Sequence, residues 1–436
     1  MRRLLLITYT FPPLTTGGTP VVLNLSRYLP PAGWQPLVLT ASRPRGMAVC
    51  GRGHRGLVPG GTVVRRVPEP ALPGSRRKGG RSGSGPAFGG AGLRKRLRRF
   101  LESWVLVPDR LAAWRWRLVP EGIRLARAGG AEAVMSFGPH HSLHLHALAV
   151  ASRTGLPCVC FFGDLWLEDS NVSWPSRANR SMEAVMEART VSRASGIITT
   201  TEGSAEYFLR TYGPLCPPLH VAPNAYDPRR VRPAASPPPR GEEMVITHTG
   251  SFFANQTPEH FLRGLRMFLD RSPGARLRVR LVGGMEPAFA GMPERLGLED
   301  TVEVAGPVDF REVPGLQADS HLLLAMVPPL PGAGLKCCSK LAEYLRVGRP
   351  VMAVAPPGDM TGLVKRLDAG YTCQPRPAEV AECLHRAWSD WREGSMQGPA
   401  DPGEVERLLD ARRVMGRMAD FLDGVADGRP GGCGTR

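Results

Sequence analysis

The feature that most constrains the fold is the segment 339–355, in which a short amphipathic pattern runs directly into an apolar one. Ser339 is a favourable helix N-cap, and the apolar residues after it recur at helical spacing as far as Gly348 and Pro350. Residues 351–355 are then all apolar, as is typical of a strand buried on both faces of a parallel sheet. The segment therefore predicts a short helix that leads into a buried parallel strand.

Two charged residues, Lys340 and Glu343, share one face of this helix near its start, where backbone N–H groups lack partners. That end of a helix attracts anions. A cation beside free N–H groups suits a diphosphate, and a carboxylate one turn on can accept the vicinal hydroxyls of a ribose or hexose. The combination fits a nucleotide sugar, although an ordinary solvated ion pair would have the same spacing.

Strand, glycine turn and helix recur along the rest of the chain, which predicts two doubly wound α/β units. The first opens with an apolar run at 3–8 and the second with a similar run at 244–249. Glycine after such strands allows close backbone approach, although glycine pairs also occur in turns that bind nothing. The candidate ligand-binding residues at these turns are Gly17, Gly18, Gly250, Ser251, Gly283 and Gly284.

Two further groups of polar residues follow predicted strands. Four histidines lie between 140 and 146, but no HExxH or comparable ligand spacing accompanies them, so no metal site is expected. Asp164 and Trp166 follow the buried strand predicted at 156–162, at the end where α/β proteins place ligand-contacting residues. Asp164 could orient sugar or acceptor hydroxyls, or it could only cap its loop.

In their order these motifs resemble the large retaining glycosyltransferase family with the GT-B fold, commonly called family four. The donor helix of that family is similar to Ser-Lys-x-x-Glu-Tyr-Leu-x-x-Gly-x-Pro-Val at 339–351, and its first loop to the glycine pair at 17–18. Asp-x-Trp at 164–166 and Pro-Asn-Ala-Tyr-Asp at 223–227 resemble further signatures, with Ala225 in place of the usual glycine. The resemblance implies an α/β GT-B fold, in which two doubly wound Rossmann-like domains face a central cleft.

The resemblance also implies a nucleoside diphosphate sugar as the donor, retention of anomeric configuration, and no cofactor or metal. The residues it predicts to be catalytic are Lys340, Glu343, His140 and His141, with His140 or His141 near the transferred sugar. The donor would contact Ser339, Lys340, Glu343 and the turn residues named above. Asp164 and Trp166 are predicted to bind the sugar or the acceptor, and His144 or His146 to pack on the following helix.

Two departures from the family pattern affect the donor site. Relatives with the fuller motif carry a second glutamate eight positions before Glu343, where this chain has Leu335. Relatives also carry basic residues just after the glycine that follows the first strand of the second domain, where this chain has Ser251. Lys336 or Arg263 could replace the missing cations.

The predicted domain organisation follows the resemblance. It consists of a first Rossmann-like domain at 1–226 with a basic flexible insertion at about 43–100, a Pro-rich linker at 227–240, a nucleotide-sugar-binding domain at 241–402, a helix at 403–427 that crosses back to the first domain, and a disordered tail at 428–436.

The net charge of +17 at pH 7 predicts attraction to polyanions. A basic amphipathic helix predicted from Leu93, with Trp104 on its apolar side, favours peripheral contact of 74–105 with an anionic membrane. The same helix could instead pack on its own domain with a solvated basic face. No specific nucleic-acid site is expected, because no basic groove with spaced aromatics is evident.

No apolar run approaches the roughly 18 residues that a spanning helix needs, so a cytoplasmic location, at the inner face of the plasma membrane, is expected. Nine cysteines without a Cys-x-x-Cys pattern predict reduced, mostly buried thiols. The expected activity is transfer of a sugar to a lipid-linked, polysaccharide or other acceptor hydroxyl. Three alternatives stay open: a nucleotide-sugar epimerase, a non-catalytic sugar-nucleotide-binding protein, and a nucleic-acid-binding protein.

Overall fold

The computed structural model describes most of the chain. The described residues are 1–14, 16–42, 56–69, 104, 106–169, 174, 176–236, 238, 241–253 and 255–429. Within them lie two parallel sheets, one of seven strands and one of six. The sheet strands fall on either side of the segment predicted as the linker.

The first sheet is all parallel and belongs to the first lobe. Its strands are β1 (Arg2–Thr8), β2 (Trp34–Ala41), β3 (Val63–Val67), β4 (Ala133–Gly138), β5 (Cys158–Phe162), β6 (Gly196–Thr199) and β7 (Leu219–Val221), in the spatial order β3-β2-β1-β4-β5-β6-β7. The central strands β4 and β5 are buried along their whole length. Their unbroken apolar character follows from this burial, because helices cover both faces of a parallel sheet.

Five helices of the described residues pack on this sheet. They are α1 (Thr19–Tyr28), α2 (Arg115–Ala128), α3 (Ser142–Thr154), α4 (Arg177–Arg193) and α5 (Glu202–Tyr212). Two apolar clusters form, one on each face of the sheet. The carboxyl ends of the parallel strands therefore meet at one edge of the lobe, where loops are free to bind a ligand.

The second sheet repeats this arrangement with six parallel strands. They are β8 (Met244–Thr249), β9 (Leu277–Val282), β10 (Val302–Gly306), β11 (Leu322–Met326), β12 (Val351–Val354) and β13 (Gly370–Cys373), in the order β10-β9-β8-β11-β12-β13. Strand β13 pairs with β12 from Gly370 onward.

The helices of the second lobe surround this sheet. They are α6 (Glu259–Arg271), α7 (Pro287–Ala290), α8 (Met292–Arg295), α9 (Val313–Ala318), α10 (Lys340–Val347), α11 (Asp359–Arg366) and α12 (Pro377–Glu393). The segment 339–355 forms the predicted helix and buried strand. Helix α10 ends at Gly348, whose φ of +83° is left-handed, and β12 follows.

The final helical segment is α13 (Pro402–Leu409) followed by α14 (Ala411–Ala426). A single unbroken helix is wrong here, because Asp410 has an extended backbone and its buried carboxylate caps α14 through the N–H of Arg412. Helix α14 packs on α1, and its Met415 and Met418 join the apolar cluster of the first lobe.

The basic insertion predicted at 43–100 is partly structured. Strand β3 lies inside it and pairs with β2, so a continuous flexible insertion is wrong for 63–67. Residues 43–55 and 70–103, including the start of the predicted amphipathic helix, lie outside the described residues, as do 430–436 of the predicted tail. Among the described helices, none combines the length and the apolar character needed to span a bilayer.

Candidate functional site

The two lobes approach each other where the loop between β1 and α1 meets the start of α10. A Cβ atom built on Gly17 would lie 3.8 Å from the Ser339 Oγ atom. At Gly18 a Cβ atom would meet the Phe137 ring at 2.9 Å, so this position excludes larger residues for packing reasons. The glycine pair and the beginning of α10 thus face each other across the cleft.

Ser339 occupies the N-cap position of α10, but its side chain makes no capping bond and its backbone is already helical, with φ of −59° and ψ of −28°. The expectation that Ser339 begins the helix by capping is therefore wrong. The N–H of Leu341 bonds instead to the carbonyl oxygen of Cys338 at 3.1 Å. The Ser339 hydroxyl is left at the cleft, beside Gly17.

Lys340 places an ammonium group in this site with a neutral partner. Its Nζ atom lies 3.2 Å from His248 Nε2, and His248 Nδ1 lies 2.8 Å from the carbonyl oxygen of Leu324. A carbonyl oxygen only accepts, so Nδ1 of His248 carries the hydrogen and Nε2 accepts from Lys340. Burial lowers the pKa of Lys340, and burial together with the Lys340 charge lowers the pKa of His248 further.

No carboxylate forms an ion pair with Lys340 among the residues that the structure describes, since none of the ion pairs within 4.0 Å there includes it. A partly buried cation with only a neutral acceptor is incompletely compensated. An anion entering the cleft would supply the missing negative charge. The surroundings of Lys340 would therefore suit an anion, independently of any motif.

The glycine turn after β8 lies against the Lys340 ammonium, and the glycine turn after β9 packs on the turn after β8. A Cβ atom on Gly250, whose φ is +154°, would lie 2.4 Å from Lys340 Nζ. A Cβ atom on Gly283, with φ of +140°, would lie 2.2 Å from the carbonyl oxygen of Gly250. The N–H of Gly284 donates to Ser251 Oγ at 3.2 Å. The structure thus brings the predicted turn residues of the second lobe together, with Gly250 next to Lys340.

Glu343 lies one turn further along α10 and is held by two groups that sequence reasoning missed. Arg230 forms an ion pair with Glu343 Oε1, and Gln317 Nε2 lies 3.3 Å from Oε2. The Arg230 guanidinium also lies over the Phe310 ring, 4.0 Å from its centroid. Arg230 comes from the Pro-rich linker, where an arginine reads as an ordinary solvated charge.

The histidines after β4 divide into two pairs. His144 Nδ1 lies 2.8 Å from Ser136 Oγ, and His146 Nε2 lies 3.0 Å from the carbonyl oxygen of Leu111. Both of these imidazoles are buried on α3, where packing was expected.

His140 and His141 lie at the start of α3, nearer the strand ends. His140 is half-buried, with its Nδ1 atom 3.9 Å from Asp109 Oδ1, and burial lowers its pKa. His141 is 7% exposed, and neither of its ring nitrogens has a hydrogen-bond partner among the described residues. Burial lowers the pKa of His141 to about 4, so its imidazole is neutral at pH 7.

Trp166 does not line the cleft. Its side chain is 1% exposed, its ring stacks on that of His141 with 5.1 Å between centroids, and its indole N–H donates to Glu183 at 2.7 Å. The prediction that Trp166 contacts sugar or acceptor is therefore wrong, because no face of the ring is accessible. Trp166 instead supports His141 from behind.

Asp164 keeps 34% of its side chain exposed and reaches Lys336 of the second lobe, whose Nζ lies 3.3 Å from it and 2.6 Å from Asp169. Burial raises the pKa of Asp164, against the effect of Lys336. Burial lowers the pKa of Lys336, but the two carboxylates outweigh it and the net direction is upward.

Neither replacement proposed for the missing cations is free to act beside Lys340. The charge of Lys336 is matched by Asp164 and Asp169, and Arg263 pairs with Glu259 on the exposed face of α6. Among the described residues, no group of three or more His, Cys, Asp or Glu side chains is arranged to hold a metal ion.

Several solved structures resemble this chain in fold. Sucrose-phosphate synthase from Thermosynechococcus elongatus has 15% identity and a TM-score of 0.68 over 98% of this chain and 100% of its own. HepE from Anabaena, in complex with UDP and glucose, has 15% identity and a TM-score of 0.67 over 97% and 100%. WaaG, described as a glycosyltransferase involved in lipopolysaccharide biosynthesis, has 16% identity and a TM-score of 0.58 over 97% and 100%.

Identities this low establish the fold alone, and they confirm the predicted α/β GT-B architecture of two Rossmann-like domains. At the level of family, residues 16–225 match the Glycosyl transferase 4-like domain. That match covers the first lobe from the glycine pair to the end of its last strand. No curated protein matches the chain.

Proposed function

We propose that this protein is a glycosyltransferase that moves a sugar from a nucleoside diphosphate sugar to an acceptor hydroxyl. The observation that carries the proposal is the Lys340 ammonium, which has a neutral partner and lies against the Gly250 turn, while the first-lobe glycine loop faces the neighbouring Ser339. These surroundings suit a pyrophosphate group. The Glycosyl transferase 4-like match and the UDP and glucose bound by HepE support the same donor class.

The chemistry asks the protein to stabilise the negative charge that develops on the departing diphosphate. Lys340 would supply a fixed positive charge there, and the positive end of the α10 dipole would add to it. The acceptor hydroxyl would attack the anomeric carbon from the face that the diphosphate leaves and would give its proton to the departing phosphate oxygen. This course retains configuration and needs no nucleophilic side chain. No step of this scheme requires a metal ion.

The first lobe would bind the sugar and the acceptor. His141 is neutral at pH 7 and has two ring nitrogens without partners, so it can bond to a sugar hydroxyl after a small movement of the cleft. His140 and Asp164 are the more exposed polar groups of the same edge. Trp166 has no direct part in this proposal.

The test is release of free nucleoside diphosphate from a panel of donors, UDP-glucose first, with and without candidate acceptors. A transferase releases diphosphate in step with product and faster when the acceptor is present. Lys340→Met should abolish that release, whereas Lys365→Met, an exposed lysine on α11, should leave it unchanged. Equal activity in Lys340→Met would contradict the proposal.

A non-catalytic sugar-nucleotide-binding protein is the second candidate. The observation in its favour is that Leu335 and Ser251 stand where relatives have charged residues, while Lys336 is already neutralised. Such a protein would bind UDP by calorimetry but release no diphosphate with any acceptor. An epimerase, in contrast, would convert the donor sugar without an acceptor.

The acceptor and the membrane contact form a further part of the proposal. We propose a lipid-linked or polysaccharide acceptor and a cytoplasmic enzyme held at the inner face of the membrane through residues 74–105. Trp104, and Trp116 twelve residues further along the chain, are exposed at 44% and 82%, which is unusual for tryptophan in a folded domain. WaaG, whose description names lipopolysaccharide biosynthesis, offers a parallel of the same fold.

Deletion of 74–99 tests the membrane contact. It is expected to abolish binding to anionic liposomes and to leave UDP affinity unchanged, because the basic charge lies in that segment and the donor residues lie in the second lobe. Liposomes made only of zwitterionic lipid are the control. Undiminished binding of the deletion variant to anionic liposomes would make the segment a passive linker.

A further inference from the structure

The turn at 227–231, where the chain passes between the lobes, is anchored to the first lobe by Asp227. The hydroxyl group of Tyr28 on α1 donates to Asp227 Oδ1 at 2.5 Å, and Arg27 donates to Oδ2. The N–H groups of Arg230 and Val231 donate to the Asp227 carbonyl oxygen at 3.0 and 2.9 Å. These bonds fix both the position of the turn and the direction in which Arg230 leaves it.

The Arg230 side chain reaches from this turn into the second lobe, where it meets Glu343. Both side chains are largely buried, with 14% of Arg230 and 12% of Glu343 exposed. Phe310 covers the guanidinium plane at 4.0 Å. Burial lowers the pKa of Arg230 to about 10, so the guanidinium is still charged at pH 7.

Glu343 is fixed from the other side by a chain of buried hydrogen bonds. Gln317 Nε2 lies 3.3 Å from Glu343 Oε2 and 3.1 Å from Thr249 Oγ1. Thr249 is in turn bonded to the Tyr344 hydroxyl, with its N–H donating at 2.8 Å. Each carboxylate oxygen therefore has one donor, and each keeps a further lone pair.

We propose that Arg230 is a positioning residue of the donor site, which holds the Glu343 carboxylate so that its remaining lone pairs accept the ribose hydroxyls of the bound nucleotide. The inference rests on the proposed function, because the ribose that Glu343 would bind belongs to the proposed nucleotide donor. Because the Arg230 turn is bonded to α1 through Asp227, the same residue ties the ribose contact to the placement of the first lobe. Arg230 itself needs no contact with the nucleotide.

The test compares the affinity of the full chain for UDP and for 2′-deoxy-UDP by calorimetry. If Glu343 accepts the 2′-hydroxyl, the wild-type protein should prefer UDP by about tenfold or more, as expected for a hydrogen bond to a charged group. Arg230→Met should lose most of this preference by weakening UDP and leaving 2′-deoxy-UDP nearly unchanged. Arg229→Met, which removes the same charge from the exposed neighbouring position, should keep it.

A double-mutant cycle then shows whether Arg230 acts through Glu343. In a Glu343→Gln background, Arg230→Met should weaken UDP binding by less than about twofold, because there is no carboxylate left to position. Arg230→Lys should restore part of the preference, and it keeps the charge if Arg230→Met fails to fold. An unchanged preference in both Arg230 variants, or an equal loss of both nucleotides, would overturn the proposal.

Different results would refute the proposed function and the role of Arg230. A wild-type protein that binds neither UDP nor ADP nor GDP would refute the proposed function, and this inference with it. A wild-type protein that binds UDP, with Arg230 variants that discriminate as well as it does, would refute only the role of Arg230.

Discussion

Replacing Lys340 by methionine tests whether its ammonium group binds the donor or stabilises the fold. Methionine has a similar length and no charge, so it fills the space beside Gly250 without the ammonium group. A lysine that holds a fold together through a buried ion pair typically costs about 3–5 kcal/mol when removed. Lys340 has no carboxylate partner among the described residues, so this large loss is not expected.

The expected change in stability is small because two effects oppose each other. Removal of the ammonium relieves the cost of burying it, whereas His248 Nε2 loses the only donor it has in the described structure, at 3.2 Å. A lost hydrogen bond to a charged group costs about 1.5–3 kcal/mol, and the relieved burial offsets part of this. The free energy of unfolding should therefore change by no more than about 1–2 kcal/mol.

Nucleotide binding should change far more. Loss of a charged contact to the diphosphate weakens affinity by about 1.5–3 kcal/mol, or about 10- to 150-fold in Kd. At a UDP concentration of 100 times the wild-type Kd, ligand stabilisation is about 2.7 kcal/mol, and it falls to about 0.4 kcal/mol if Kd rises 100-fold. The shift in Tm caused by UDP should thus nearly disappear.

Thermal unfolding with and without UDP measures both quantities in one assay, with Lys365→Met as the matched control on the exposed face of α11. The reasoning is refuted if Lys340→Met loses more than about 3 kcal/mol of stability while its UDP response stays normal. That result would make Lys340 a structural residue.

The lowered pKa of Lys340 also predicts the direction in which stability changes with pH. Burial places the pKa of Lys340 below its ordinary value, so between these two values the unfolded chain binds a proton that the folded chain lacks. The free energy of unfolding should then rise with pH across that interval, as the cost of the buried ammonium is relieved. UDP affinity should fall over the same interval, and Lys340→Met should show neither trend.

Two further predictions concern the scaffold. Burial raises the pKa of Glu183 to about 7 from 4.5, so the free energy of unfolding should fall as pH rises through that interval. In urea unfolding, Glu183→Gln should be more stable than the wild type by up to about 3 kcal/mol at pH 8 and by little near pH 4.5. Parallel wild-type and variant pH profiles would contradict this. Gly283→Ala should cost at least about 1–3 kcal/mol and weaken UDP binding, because its Cβ atom would lie 2.2 Å from a backbone oxygen. Gly362→Ala is the control, because Gly362 is helical and a Cβ atom there would have nothing within 4 Å. This substitution should be neutral or should stabilise the protein by about 0.5–1 kcal/mol. Equal effects at both glycines would refute the packing argument.

The alternation of strand, glycine turn and helix made most of the fold readable from the sequence. Apolar runs such as 3–8 and 351–354 have no polar alternation because both sheet faces are covered, and this distinguishes them from exposed strands. Strand β3 was not predicted, because Arg65 and Arg66 give it the composition of the basic segment around it. It is an edge strand, where charged side chains reach solvent.

The sequence predicts only those parts of the site that local residue spacing determines. Lys340 and the glycine turns converge because strand ends meet at one edge of a parallel sheet, a consequence of topology. The burial of Trp166 could not be predicted from local spacing, because its indole bonds to Glu183 in a helix that begins eleven residues later. Arg230 was missed for the same reason, since its partner Glu343 lies more than a hundred residues away in the chain.

The account depends most on where a nucleoside diphosphate binds, and a crystal structure of the protein with UDP measures this directly. The β-phosphate is expected within about 3 Å of Lys340 Nζ, as in a charge-assisted hydrogen bond, with the ribose hydroxyls at Glu343. UDP bound outside the cleft between the Gly17 loop and α10, or a Lys340 side chain turned away from the diphosphate, would contradict it.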